Sequence, residues 1–318
     1  MATFIPTGAC WICGGSSRKP FHQAALDFSA WREQDPDLKA YTGEKIWLWQ
    51  CPACGFAQPD RIPALPRFFE RMYDQRWSDG WVAAESESPY KDAIFTRVLA
   101  MLDERVRSTP RTLLDVGCHA GRFLRLAGQA GWRAEGTEIN ERTATHAAAS
   151  TGVPIHRLTA ERLGELRRQF NAVTLTDVLE HIPQPVTLLS TIRRVVADDG
   201  WVAVKVPCGP AQLVKERWRA RLSRGYRATL ADNLVHISHF SPRALRSALE
   251  RAGFDDITVE IAAPECPPGA PVAAFARLAL YHVGRRVPGG VYTPIALHLQ
   301  AFAHAGKNTG SMIAATAP

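Results

Sequence analysis

Between Thr112 and Ala303 the chain alternates short apolar runs with stretches whose apolar residues recur at helical spacing. The run Leu113, Leu114, Val116 is followed by Phe123, Leu124 and Leu126 on a helix that ends near Gly131. Trp132–Gly136 reads as a second strand, Glu141–Thr151 as an alanine-rich helix, and a third strand falls near Pro154–Arg157. Asn171–Thr176 is the fourth strand and Leu188–Val196 a helix, after which Asp198, Asp199 and Gly200 turn the chain into a fifth strand, Trp201–Val206. Ser241 followed by Pro242 has the form of a helix cap with proline in the first turn, and Gly253 stops that helix. Ile257–Ile261 and Leu297–Ala303 supply the last two strands, with a mostly apolar helix, Val272–Val287, between them. Alternation at this rhythm predicts an α/β fold with a doubly wound, Rossmann-like sheet.

The centre of the pattern is TLLDVGCHAGRF, from Thr112 to Phe123: a buried strand, a loop with Gly117 and Gly121, and a helix start. Glycine lets such a loop turn sharply and admit a ligand close to the backbone. The free amides of the following helix then face a polar ligand group. Taken alone, the loop suits any nucleotide. Glu138 ends the second strand about 20 residues beyond the glycines, where a carboxylate accepts both hydroxyls of a ribose. Ala160 and Glu161 follow the third strand, where an adenine ring would lie.

Ahead of the sheet, Cys10 and Cys13 sit in ACWICGG, and Cys51 and Cys54 in QCPACGF. Each pair puts two thiols at one tight turn, and two such knuckles supply the four soft ligands of a tetrahedral zinc site. A redox dithiol needs only one pair, so structural zinc is the expectation, folding a module of residues 1–60 that is too small to be stable alone. Trp47, Leu48 and Trp49 form a strand returning to the second knuckle. Residues 61–110 read as a proline-punctuated linker and helical lid. Phe68, Phe69, Met72, Tyr73, Trp77 and Trp81 suit either a helix packed on the main domain or a lid over the ligand pocket, with Tyr73 and Trp77 the expected contacts. A helix from Tyr90 to Val106 follows, and Pro110 marks entry to the main domain, 111–307; residues 308–318 read as a disordered tail.

The net charge of +7 over 318 residues favours an anionic partner or simply marks a basic protein. The segment Gln212–Arg227, in which Lys215, Arg217, Arg219, Arg221, Arg224 and Arg227 interleave with apolar residues, suits an anionic substrate, a peripheral membrane contact or a solvated helix face. No transmembrane span and no signal peptide are expected. Cysteine usage suits a reducing compartment, so the expected location is the cytoplasm.

With these pieces together, the chain resembles the class I S-adenosylmethionine-dependent methyltransferases, from about Thr112 to Lys307. The resemblance rests on LLDVGCHAGRF, GTEIN, FNAVTLTDVLEHIPQP, DDGWVAVKVP and HISHFSPRALRSALERAGF, in that order. It is strongest to the small-molecule branch with DVLEH after the fourth strand and a His-x-x-x-Phe-Ser element before the last large helix. The resemblance implies a seven-stranded Rossmann-like methyltransferase sheet with S-adenosylmethionine as cofactor. It sets Asp115, Gly117, Cys118 and Gly121 at the methionine end, Glu138 at the ribose and Asp177 beside the sulfonium. His119 stands where the family usually has glycine. A positive φ there costs of order 1 kcal/mol, and the expectation is a tolerated residue with its imidazole outward.

The sulfonium is already activated, so the protein mainly has to align the acceptor, and an acceptor hydroxyl must also lose a proton. His181, His236 and His239 are the candidates: His236 as base, His181 orienting the acceptor, and His239 equally a packing residue. The expected activity is O-methylation of a small molecule or glycan. Alternatives are C-methylation of a nucleotide-linked sugar or a non-catalytic adaptor with a decayed cofactor site. Nucleic acid is disfavoured, since no Asn/Asp-Pro-Pro-Tyr element follows the fourth strand.

Overall fold

The computed structural model describes residues 2–29, 35–74, 82, 86–266 and 269–306. Trp77, Trp81 and the C-terminal tail lie outside the described residues.

The chain begins with β1 (Phe4–Pro6), β2 (Lys19–Ala25), helix α1 (Pro36–Lys39), β3 (Lys45–Gln50), β4 (Ala57–Pro59), β5 (Arg61–Pro63), α2 (Phe68–Asp74) and α3 (Asp92–Arg105). The main sheet follows as β6 (Thr112–Val116), α4 (Arg122–Gln129), β7 (Arg133–Thr137), α5 (Glu141–Thr151), β8 (Ile155–His156), β9 (Phe170–Thr176), α6 (Pro185–Val195) and β10 (Val196–Pro207). It closes with α7 (Gly209–Leu222), α8 (Pro242–Arg251), β11 (Asp255–Ile261), α9 (Pro271–Arg286) and β12 (His298–Ala305).

The seven main strands lie in the order β11-β12-β10-β9-β6-β7-β8. Strands β6 to β10 are parallel and β12 is antiparallel to both neighbours. Central strands covered on both faces must be apolar throughout. Accordingly Ala172, Val173 and Leu175 of β9 and Val202, Val204 and Val206 of β10 are buried. The order reverses between β6 and β9, so the loops leaving these strands diverge and open a crevice at their carboxyl ends.

The N-terminal segment is not a separate body. Sheet β2-β3-β4 meets the loop before α8 through an Ala57–His239 bridge, and Cys10, Ile12, Trp49 and Phe56 share one buried core with the main strands. Phe56 meets Phe240 edge-on at 5.1 Å. Ala57 and His239 exchange two backbone hydrogen bonds of 2.9 Å.

Three details depart from the sequence reading. Strand β10 begins at Val196 and carries the expected Asp198–Gly200 turn as an irregularity inside it. The basic segment is helical only to Leu222. Helix α9 buries only Tyr281 and Gly284, leaving Val272 82% and Phe275 76% exposed. Apolar composition told of a helix there without telling which face was covered.

Candidate active site

The crevice holds a cavity of about 1160 Å³. Gly117 (φ 71°), at the end of β6, lines it; a Cβ there would stand 2.7 Å from Val178 Cγ2, so only glycine lets the loops after β6 and β9 meet. Glu138, at the end of β7, also faces the cavity. Its carboxylate accepts from the backbone N–H of His119 (3.2 Å) and of Asn140 (2.9 Å), which ties the glycine loop to the next strand. Glu161 lines the same wall.

The other expected cofactor residues are distributed around this opening. Asp115 is buried and accepts from Thr174 Oγ1 at 2.6 Å. Burial pushes its pKa up to about 7. Asp115 and Cys118 line a small adjoining recess of about 60 Å³. Cys118 Sγ packs beneath Gly136, where a Cβ would come within 2.5 Å of it. Gly121 (φ 83°) borders neither space: it starts α4, and a Cβ there would strike Thr151 of α5 at 2.7 Å. Its glycine is explained by helix packing.

His119 takes the expected positive φ, 49°. Its imidazole does not point outward. It lines both the cavity and the recess, and burial, with Lys91 nearby, lowers its pKa to about 4. A neutral ring at this position enlarges the apolar wall of the site at neutral pH. Helix α2 brings Phe68 and Phe69 to the far wall, as do Ile62 to Pro66 before it. Neither the basic segment of α7 nor α9 lines the cavity.

Asp177, next along the cavity, also has a positive φ, 56°. Its carboxylate meets Lys205 Nζ at 2.5 Å and Lys91 Nζ at 2.9 Å, and Lys205 reaches Glu265 at 3.2 Å. Burial alone would raise the Asp177 pKa, but the two ammonium groups hold it far below the carboxylate range. Burial would likewise lower the pKa of Lys205, and Asp177 and Glu265 more than reverse this. Two cations and two anions thus form a closed set at the floor of the site. Sequence reasoning found Asp177 alone. Lys205, 1% exposed, was visible as a charged residue inside the apolar run WVAVKVP.

Two backbone hydrogen bonds bring the candidate histidines together. Ile237 and Ser238 both donate their N–H to Glu180 O at 2.9 Å, and Ser238 Oγ donates to Ile182 O at 2.8 Å. This staples the loop before α8 onto the loop after β9. His181 and His236 then lie edge to face with ring centroids 4.9 Å apart, both lining the cavity. His181 Nδ1 bonds Val235 O at 2.5 Å, and since a carbonyl only accepts, Nδ1 carries a proton. His239 is the packing residue: buried against Phe21, with its pKa lowered to about 3 by burial.

The four expected metal ligands also converge. Cys10, Cys13, Cys51 and Cys54 lie with all sulfurs within 4.8 Å of one another. Cys10–Cys54 and Cys13–Cys51 are 3.6 and 3.5 Å apart. Zinc–thiolate bonds of about 2.3 Å make a tetrahedron whose edge is about 3.8 Å, so the cage is close to zinc-sized. Each knuckle closes by the same bond, Gly14 N to Cys10 O (2.9 Å) and Gly55 N to Cys51 O (2.8 Å), with the glycine at positive φ. Ser241 Oγ donates to Cys54 O at 2.8 Å and also caps α8 through Ala244 N. The second knuckle therefore buttresses the loop that carries His236. No helix among the described residues is long and apolar enough to cross a membrane.

Comparison with known proteins agrees with this geometry. A ubiquinone biosynthesis O-methyltransferase of Pseudomonas paraeruginosa is 32% identical over 129 residues, covering 38% of this chain and 55% of its own length. One from Pseudomonas fluorescens is 33% identical over the same shares. The chain thus spans about half the length of the curated relatives it matches. Among solved structures, a chain of the Haloferax volcanii Trm112 methyltransferase-activator complex aligns with a TM-score of 0.50 at 16% identity, covering 72% of this chain and 97% of its own. The plantazolicin methyltransferase BpumL, solved with S-adenosylhomocysteine, aligns with a TM-score of 0.50 at 12% identity, covering 76% and 95%. At these identities the likeness is one of fold. The family model of a methyltransferase domain matches residues 88–259, just over half of the chain, and with the strand order and switch-point cavity above, the chain belongs to the class I S-adenosylmethionine-dependent methyltransferases.

Proposed function

We propose that the protein methylates a hydroxyl oxygen of a small-molecule or glycan acceptor. His236 takes the hydroxyl proton and His181 orients the acceptor. The observation carrying this reading is the His181–His236 pair, edge to face at 4.9 Å on the wall of the cavity that the cofactor loops also line. The O-methyltransferase names of the sequence relatives agree with it.

When bound, S-adenosylmethionine supplies an activated methyl group on its sulfonium. Glu138 accepts the ribose hydroxyls, and Gly117 leaves room for the ligand beside Val178. Asp115 and Cys118, in the adjoining recess, and Gly121 behind it shape the methionine end of the loop. Asp177, already held by two lysines, sets the form of the loop beside the sulfonium more than it neutralises the charge. The neutral imidazole of His119 and the aromatic wall of α2 exclude water, and the acceptor enters between them. His236 receives the proton as the acceptor oxygen takes the methyl. Cys10, Cys13, Cys51 and Cys54 would hold a structural zinc ion, which would fix the loop under His236.

Replacing His236 with alanine is expected to lower turnover about 100-fold or more, the usual worth of a positioned base, while leaving S-adenosylmethionine affinity within a factor of about two. The measurement is single-turnover methylation of a panel of hydroxyl acceptors with product analysis for a new methyl ether. Unchanged turnover, or a new carbon–carbon bond, would remove the assignment.

A further inference from the structure

Glu180 has no place in the chemistry described so far. It follows β9 and is 1% exposed, yet neither carboxylate oxygen has a hydrogen-bond partner. A buried carboxylate without a partner is among the most costly groups a fold can carry. Lys91 and Lys205 pair with Asp177 and Glu265 and relieve it only in part. Burial and the Asp177 charge hold such an acid in its neutral form, and it takes up its charge most readily against a cation.

The side chains beside it are those that bind one. A carboxylate oxygen of Glu180 and one ring nitrogen each of His181 and His236 lie within 4.8 Å of one another. All three residues line the cavity. The Val235 carbonyl holds the His181 Nδ1 proton and so fixes the ring; ring-to-carbonyl bonds of this kind orient metal-binding histidines. The staples from Ile237 and Ser238 to Glu180 O hold the third ligand's loop in register with the first two.

We propose that Glu180, His181 and His236 form a binding site for a first-row divalent cation, with its remaining positions open to the cavity and to an oxygen-bearing acceptor. Two imidazoles and one carboxylate suit zinc, iron or manganese, and a site of three protein ligands keeps room for substrate. The inference rests on the reading of this end of the cavity as the place where an acceptor oxygen is methylated. With the ion bound, the acceptor's proton leaves to solvent under the ion's charge and His236 is a ligand; with no ion bound, His236 is the base. The acceptor class it favours carries two neighbouring oxygens, which chelate a cation better than one.

Manganese distinguishes this site from the cysteine cage, because it does not favour thiolates. The test is Mn²⁺ uptake by the full-length protein, read by the loss of the free-ion electron-paramagnetic signal, with Glu180→Gln and His236→Ala as variants. One ion per chain is expected for the parent protein, with affinity weakened by at least about tenfold in each variant. Equal uptake by parent and both variants would overturn the site, as would no uptake by the parent at millimolar Mn²⁺. Methyl-ether formation at an unchanged rate with no cation bound would also overturn it, leaving hydroxyl methylation intact. Uptake that depends on Glu180, without an ether from any hydroxyl acceptor, would support the cation site and remove the hydroxyl reading instead.

Discussion

Replacing Lys205 with methionine is expected to destabilise the protein by about 3–5 kcal/mol, the cost of breaking a buried ion pair by removing one partner. Lys205 lies at the centre of β10, hydrogen-bonded to Asp177 at 2.5 Å and Glu265 at 3.2 Å. Methionine fills a similar volume, so the loss reads the charge and not a void. Asp177 would keep Lys91, at 2.9 Å, but Glu265 would lose a near cation inside the fold. Adding Glu265→Gln should recover much of the loss, since it leaves Asp177 paired with Lys91 and no carboxylate without a cation. Denaturant unfolding of the parent, single and double variants measures both steps. A loss below about 1 kcal/mol for the single variant, the size of an exposed pair, would show that these charges are solvated in solution.

Removing metal from the cysteine cage is expected to have an effect at least as large. Structural zinc contributes about 10–16 kcal/mol to the folding of isolated zinc peptides. Here part of the module's stability comes from packing of Phe56 on Phe240 and from the core it shares with the main sheet. A Cys51→Ser variant, or chelation of the parent protein, should lower the melting temperature by on the order of 10 °C, at about 2–4 °C per kcal/mol for a large domain. Because Ser241 Oγ bonds Cys54 O and caps α8, the loop from His236 to Ser241 should lose amide-exchange protection as well. Metal content by atomic absorption, melting and exchange are read on the same samples. An unchanged melting temperature after complete metal loss would contradict a structural zinc.

The large outlines of this protein were legible in the sequence because they follow from periodicity and from the chemistry of single residue types. The strands of the sheet show as short apolar runs, and Gly117 shows as a turn where a Cβ would meet Val178. The Ser241–Pro242 cap is observed as expected, with Ser241 accepting from Ala244 N. The four cysteines meet because two knuckles of the same form were encoded at two places.

What the sequence did not reveal lies where distant segments meet. Nothing in the run WVAVKVP tells which carboxylates will face Lys205, since Lys91, Asp177 and Glu265 come from three different segments. His119 was expected to face outward because a loop residue usually does. The Asp115 recess and the cavity wall give its ring a place inside. The exposed face of α9 and the absence of α7 from the cavity wall depend on where each helix lies, and amphipathicity or apolar composition does not fix that. Glu180 was read only as part of DVLEH. Its burial without a partner is a property of the folded state.

The central claim is that the crevice between the loops of β6, β7 and β9 is where the cofactor binds. Calorimetric titration with S-adenosylmethionine, of the parent protein and of Glu138→Gln, tests it most directly. The account predicts one cofactor per chain for the parent and affinity about tenfold weaker, or about 1.4 kcal/mol, in the variant, because an amide accepts poorly from two ribose hydroxyls at once. Equal affinity in the two proteins, or no binding by the parent, would contradict it.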